Sequence, residues 1–217
     1  MKKNILSYFL LFTVCNVFSQ GNYTIKFESY YIKSDSTLLS GGEDFIVAIK
    51  DTQSFTYYPF PKSKLKIVYP LGSELWPKST YFNLTSKLII VPYGFFGEPK
   101  THVLIVHEYP DIKWTITNEK KLILRDTCIK AIGALNGHEV IAYYNPTLPS
   151  GFGHHLYLGL PGTILETYTP DNRIQSVAVS IENNSPEIVE PNFAKRVTEA
   201  EYRKRRDKNP AKKLTWQ

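Results

Sequence analysis

Cysteine is nearly absent. Of the two in this 217-residue sequence, Cys15 lies in the apolar start and Cys128 near the middle. With the start removed, Cys128 has no partner for an intramolecular disulfide, so stability has to come from packing. Long apolar runs are absent too. The run over residues 5–17 falls short of the about 20 residues that cross a bilayer, and no later segment reaches that length. The usual catalytic signatures are missing: G-x-S-x-G, the Walker loop, G-x-G-x-x-G and C-x-x-C do not occur. His107-Glu108 and His138-Glu139 begin the zinc-protease pattern H-E-x-x-H, but its second histidine would fall on Asp111 or Ala142. Neither fragment is a metal site.

What is present begins with a compartment. Met1-Lys2-Lys3-Asn4 is a basic start, the apolar run follows, and Val17 and Ser19 suit a cut before Gln20. That pattern predicts a secretory signal peptide over residues 1–19 and an exported chain of the periplasm or cell envelope. The remaining 198 residues suffice for one domain with a substantial core, expected over residues 20–194.

The net charge of +6 is a property of the tail. From Lys195 onward nine basic residues face Glu199, Glu201 and Asp207, which accounts for the whole +6, and the body from 20 to 194 carries −2. A nucleic-acid partner is therefore not expected. Thr198-Glu199-Ala200-Glu201 is a capping box, so a helix should run from there to Lys208, ahead of Pro210. Its charge makes peripheral contact with an anionic surface or an acidic partner, between Thr198 and Lys208, one reading of the chain.

Nearly every other segment reads as a strand. Candidates cover residues 23–32, 44–50, 53–58, 65–69, 80–85, 87–92, 102–107, 113–117, 122–124, 126–132, 139–143, 155–160, 163–168 and 174–181. They are short, rich in β-branched and aromatic residues, and separated by glycine and proline turns. Asn136-Gly137 suits a type I′ hairpin, and the stretch around 34–40 carries a weak helical signal. The fold class is therefore mainly β: a single antiparallel, strongly curved sheet, open half-barrel or barrel, with a short C-terminal helix. Leu160-Pro161-Gly162-Thr163 predicts a type II turn, with proline at the first central position and glycine at the second. Such a turn suits a corner or bulge better than a flat hairpin.

Few side chains suggest chemistry. His154-His155 is the most suggestive pair, but on a strand adjacent side chains point to opposite faces, so they would share a ligand only if the chain around Gly153 is irregular. Cys128 sits in a strand-like run and reads as a buried thiol rather than a nucleophile. Tyr30-Tyr31, Tyr57-Tyr58 and Tyr143-Tyr144 are aromatic pairs of the kind that place one ring inside and one outside. His154, His155 and Tyr144 are the candidates for contact with a ligand or partner. No catalytic residue, metal or cofactor is assigned.

The stretch from Trp114 resembles the GLPGLI family of exported proteins from Bacteroidota. The residues that carry the likeness are Trp114, Ile116, Glu119, Lys121, Ile123, Cys128, Lys130 and Ala131, then Ala142, Tyr144 and Pro149. Gly153, Gly159, Leu160, Pro161, Gly162, Ile164, Leu165 and Glu166 follow, and the closing helix from Thr198 fits as well. Arg125-Asp126 stand where the pattern has Gly-Tyr, Tyr143 where it has Trp, and His154-His155 where it has Pro-Tyr. The resemblance implies export, a single β-rich domain and no activity that carries over. Trp114, Ile116 and Ile123 are then expected in the core, and Gly159 and Gly162 at positions set by backbone geometry. The expected function is non-enzymatic binding of a lipid-like ligand or an envelope partner through the curved sheet. Metal-dependent or hydrolytic chemistry at His154 or His155 is the alternative.

Overall fold

The computed structural model describes residues 21–32, 38–40, 44–59, 79–93, 102–171 and 174–208. The expected signal peptide, the expected strand at 65–69 and the expected stop at Pro210 lie outside these residues.

The chain is mainly β. Its strands are β1 (Tyr23–Ile32), β2 (Leu38–Ser40), β3 (Phe45–Lys50), β4 (Gln53–Tyr57), β5 (Thr80–Asn83), β6 (Leu88–Tyr93), β7 (Val103–His107), β8 (Thr115–Ile123), β9 (Asp126–Leu135), β10 (His138–Asn145), β11 (Thr163–Thr169), β12 (Ile174–Glu182) and β13 (Lys195–Thr198), followed by helix α1 (Glu199–Lys208). They form one curved, open sheet in the order β13-β7-β6-β5-β4-β3-β1-β12-β11-β10-β9-β8, with β2 paired to β1 alone. Every ladder is antiparallel except β13 on β7, which is parallel. Leu38–Ser40 is thus strand where the sequence carried a weak helical signal. Ladder pairing with β1 outweighs so slight a local preference.

The sheet is two meanders joined at a seam. β3 to β7 run outward from one side of β1, and β12 back to β8 from the other. Tight turns make this possible. Asn136 (φ 53°) and Gly137 (φ 84°) form the expected type I′ hairpin between β9 and β10. The β8–β9 turn has the same left-handed backbone at Leu124 (φ 52°) and Arg125 (φ 74°), without glycine or asparagine to ease it. Bulges at Lys26/Phe27 and Tyr143/Tyr144, with a larger irregularity between Ile116 and Lys120, break the ladders and add curvature.

Cross-strand partners point to the same side, so register fixes the two faces. The inner face presents Ile25, Phe27, Phe45, Val47, Ile49, Phe82 and Ile89, all buried. The expected strand at 155–160 does not exist. Residues 146–162 leave the sheet after β10 and pack onto this inner face instead, with Phe152 and Leu158 in the same apolar cluster. The outer face of β3 to β7 carries Ala48, Phe55, Tyr57, Tyr81, Ile90 and Leu104, and the segment 183–194 covers it with Ile188, Phe193 and Ala194. Ion pairs from Lys50 to Glu187 and from Arg196 to Glu190 fasten that strap.

Helix α1 starts where expected. The Glu201 amide donates to Thr198 Oγ1 (3.2 Å) and the Thr198 amide to Glu201 Oε2 (2.9 Å), closing the capping box. His107 Nδ1 lies 3.2 Å from Glu199, and the Tyr93 and Tyr202 rings meet edge to face, so the helix rests on β6 and β7.

Candidate functional site

The inserted segment 146–162 is held by backbone contacts that exclude side chains. A Cβ at Gly153 would overlap the Tyr157 carbonyl oxygen, and one at Gly162 the Asn145 carbonyl oxygen. Glycine is needed there for close approach rather than for a special backbone angle. The expected type II turn is not formed, because Gly162 is not in the left-handed region that its second central position requires. The Gly162 amide donates to the Leu160 carbonyl instead (2.8 Å), a γ-turn centred on Pro161. The left-handed residue of the motif is Gly159 (φ 94°), beside the Tyr109 hydroxyl.

Other motif residues secure the same insertion. Trp114 Nε1 donates to the Leu158 carbonyl (2.8 Å). Gly151 and Ile164 amides donate to the carbonyls of Leu160 and Phe152, at 2.8 and 3.0 Å. Thr163 Oγ1 donates to the Pro149 carbonyl (2.7 Å). Leu160 and Ile164 are buried with Ala131, Ala142 and Tyr144 against Trp114. Tyr144 is therefore a core residue, not an open contact surface, while Tyr143 on the opposite face is half-buried. Ile116 corrects another expectation. It is 50% exposed on β8, because the ladder is irregular before Lys120 and no described strand pairs with the outer edge of β8.

The histidine pair sits at the inner end of the insertion. His155 adopts φ 52°, a left-handed conformation that reverses the chain and brings both rings to one side, with centroids 5.4 Å apart. The irregularity on which a shared site depended is thus present. His154 is buried among Phe27, Phe45 and Tyr157, with ring centroids at 5.2, 4.8 and 5.3 Å. Its Nε2 lies 2.9 Å from Thr167 Oγ1, while its buried Nδ1 has no hydrogen-bond partner among the described residues. His155 Nε2 lies 3.0 Å from the Tyr58 hydroxyl. Burial drives the His154 pKa well below that of a free imidazole, helped by its neighbour His155, and burial lowers His155 to about 4. Both are neutral at pH 7. Among the described residues no group of three or more His, Cys, Asp or Glu stands ready to hold a metal.

A second polar cluster lies on the outer face of the β8–β12 half. Glu166 is 3% exposed and accepts from Lys121 Nζ (2.7 and 2.9 Å) and from Gln175 Nε2 (2.7 Å). Lys121 also lies 5.3 Å over the Tyr143 ring, and Lys130 pairs with Glu119 at 2.9 Å. Register explains the assembly: Lys121 lies opposite Cys128, Lys130 opposite Tyr143 and Tyr143 opposite Glu166. Glu119, Lys121, Lys130 and Glu166, which had seemed unrelated, become neighbours. The only cue in the sequence was their shared place in one motif. Cys128 is buried beside them, and burial with the charges of Asp126 and Glu166 pushes its thiol up to about 11. It is an unreactive thiol.

No family model matches this chain, and no curated protein matches it. Among solved structures it is similar to PNGF-II in its P21 crystal form, with TM-score 0.63, 14% identity, and 85% of this chain and 33% of PNGF-II covered. The C2 crystal form of PNGF-II gives the same TM-score and identity, with 32% of that protein covered. The chain thus spans about a third of PNGF-II, and at that identity the likeness is one of fold.

Proposed function

We propose that this chain is an exported, non-enzymatic envelope protein of the GLPGLI type that binds a protein partner through the open margin of its curved sheet. The observation that carries this reading is the filling of the inner face by the chain's own residues 146–162. Sheets that carry lipids keep their concave side open to an apolar guest. Here Phe152, His154 and Leu158 occupy that side. The outer face of β3 to β7 is covered as well, which leaves the β8 margin, where Ile116 and Leu122 are 50% and 69% exposed beside an edge with which no described strand pairs. The lack of catalytic motifs and the unreactive state of Cys128 agree with binding rather than turnover.

The test is site-specific photocrosslinking in the native envelope, with the crosslinking residue placed at Leu122, at Ile116 and at the distant exposed Val179. A discrete protein adduct at Leu122 or Ile116, absent at Val179, is expected. Equal labelling at all three, or adducts to lipid alone, overturns the reading.

A second reading rests on α1. Its cap and its contacts with His107 and Tyr93 hold the basic helix in a fixed position. Ala200 and Tyr202 are its only apolar side chains, too few to bury in a bilayer, so an acidic protein suits it better than lipid. Deleting residues 199–217, which spares strand β13, would then release the folded body from the envelope, and unchanged fractionation counts against this reading.

A further inference from the structure

The β8–β9 hairpin fixes which backbone groups of β8 face outward. Its loop, Leu124-Arg125, has φ 52° and 74°, the left-handed pair of a type I′ turn, so the flanking residues Ile123 and Asp126 exchange both of their hydrogen bonds. Bonding alternates along an antiparallel ladder. Lys121 opposite Cys128 is therefore the next bonded pair, while Leu122 opposite Thr127 and Lys120 opposite Ile129 are unbonded pairs. The amides and carbonyls of Lys120 and Leu122 thus point away from β9, along the edge with which no described strand pairs. The side chains at this edge are of two kinds. Leu122 and Leu124 are exposed apolar groups. Lys120 and Arg125 are exposed cations, and among the described residues neither has an ionic partner, whereas Lys121 and Lys130 are paired with Glu166 and Glu119.

We propose that the partner of the β8 margin contributes an extended segment that adds to the sheet as a strand beside β8, with an acidic residue against Lys120 and an apolar one against Leu122. The inference rests on the protein-partner reading above and names the chemistry of that partner. Outward amides and carbonyls on alternate residues match a backbone that returns the same bonds, which neither a lipid nor a surface of side chains supplies. The unpaired cations set the sign of its charge. Lys120 and Leu122 lie two apart on a regular stretch of ladder, so they share a face and suit acidic and apolar residues at matching alternate positions. A second copy of this chain fits poorly. Antiparallel pairing of two β8 strands through both Lys120 and Leu122 sets the two Lys121 residues directly opposite each other, a like-charge pair.

The test adds proline to the photocrosslinking experiment: Leu122→Pro with the crosslinker at Ile116, and Lys120→Pro with it at Leu122. Either proline removes an outward amide and spares the β8–β9 bonds. The urea midpoint should therefore hold while the protein adduct falls about tenfold. Lys120→Glu with Arg125→Glu should also lower the adduct, and Lys120→Arg with Arg125→Lys should preserve it. Hydrogen exchange of the unaltered chain gives a readout that survives if a proline variant fails to fold. An acetylated octapeptide alternating valine and glutamate should protect the Lys120 and Leu122 amides and leave the Lys121 amide, already bonded to β9, unchanged. The same peptide with lysine for glutamate should protect neither. Adducts undiminished in folded proline variants overturn strand addition and leave the partner reading standing, whereas no adduct at either position in the unaltered chain overturns both. An adduct to a second copy of this chain, no protection by the glutamate peptide, or equal protection by the lysine peptide overturns the acidic segment.

Discussion

The two meanders of the sheet differ in how they are covered. β3 to β7 are packed on both faces, by residues 146–162 inside and by the strap 183–194 outside. β8 to β10 are covered less, and among the described residues no strand pairs with the outer edge of β8. Their sequences differ accordingly. Phe45-Ile46-Val47-Ala48-Ile49 and Leu88-Ile89-Ile90-Val91 are unbroken apolar runs, as strands buried on both sides tend to be. β8, with Asn118, Glu119, Lys120 and Lys121, has only Ile123 buried. The doubly covered meander puts its residues into stability. The less covered one keeps an ordered charged surface, and most of the recognisable motif lies in it.

Four experiments would sharpen or break that contrast. The largest effect is expected from Phe82→Ala, which should cost about 3–5 kcal/mol in urea denaturation, against less than about 0.5 kcal/mol for Leu122→Ser on β8. Comparable losses would mean that the two halves are not covered differently. Gly162→Ala should follow, at about 3 kcal/mol, because its methyl group collides with the Asn145 carbonyl and has nowhere to move. A neutral result would place the anchor of the insertion elsewhere.

Acid should act through the insertion. The unfolded chain protonates its histidines near pH 6.5, whereas folded His155 resists until about 4 and buried His154 is likewise held well below its usual value. The unfolded state therefore binds more protons in that window, and stability falls as pH drops from about 6.5 to about 4. Urea midpoints at pH 7.5, 5.5 and 4.5 measure the decline. A His154→Phe, His155→Phe variant should flatten it, and an unchanged slope would assign the acid sensitivity to carboxylates. The smallest effect is a gain. Arg125→Gly should stabilise the chain by about 1 kcal/mol, since Arg125 holds φ 74° where the resembled pattern has glycine. No gain would mean that the turn is not strained.

Much of this was legible in the sequence. Alternation, turn residues and the capping box located most of the described strands to within a few residues, along with the helix, but missed β2 and β13 and split β8 in two. The failures are instructive. The 155–160 stretch has strand composition, but its neighbours Gly153 and Gly159 let it leave the ladder, and propensity does not record that. Pro161-Gly162 read as a type II turn because local chemistry favours one. Instead, the close approach of the Asn145 carbonyl, a tertiary constraint, explains the glycine. The neighbours of His154 come from β1, β3 and β11, and the Glu166 cluster from β8, β9, β10 and β12. No local pattern announces either.

The seam at the centre of the sheet has a kinetic consequence. Ser29 and Ser176, which share a hydrogen bond across it, are 147 positions apart in the chain. During synthesis the first strand waits, with one side unpaired, until almost the whole chain has emerged. Long-range closure of this kind slows folding and prolongs the life of sticky edges. A protein built so leaves one side of β1 open to other chains for a long interval, because the centre of its sheet closes only when β12 arrives.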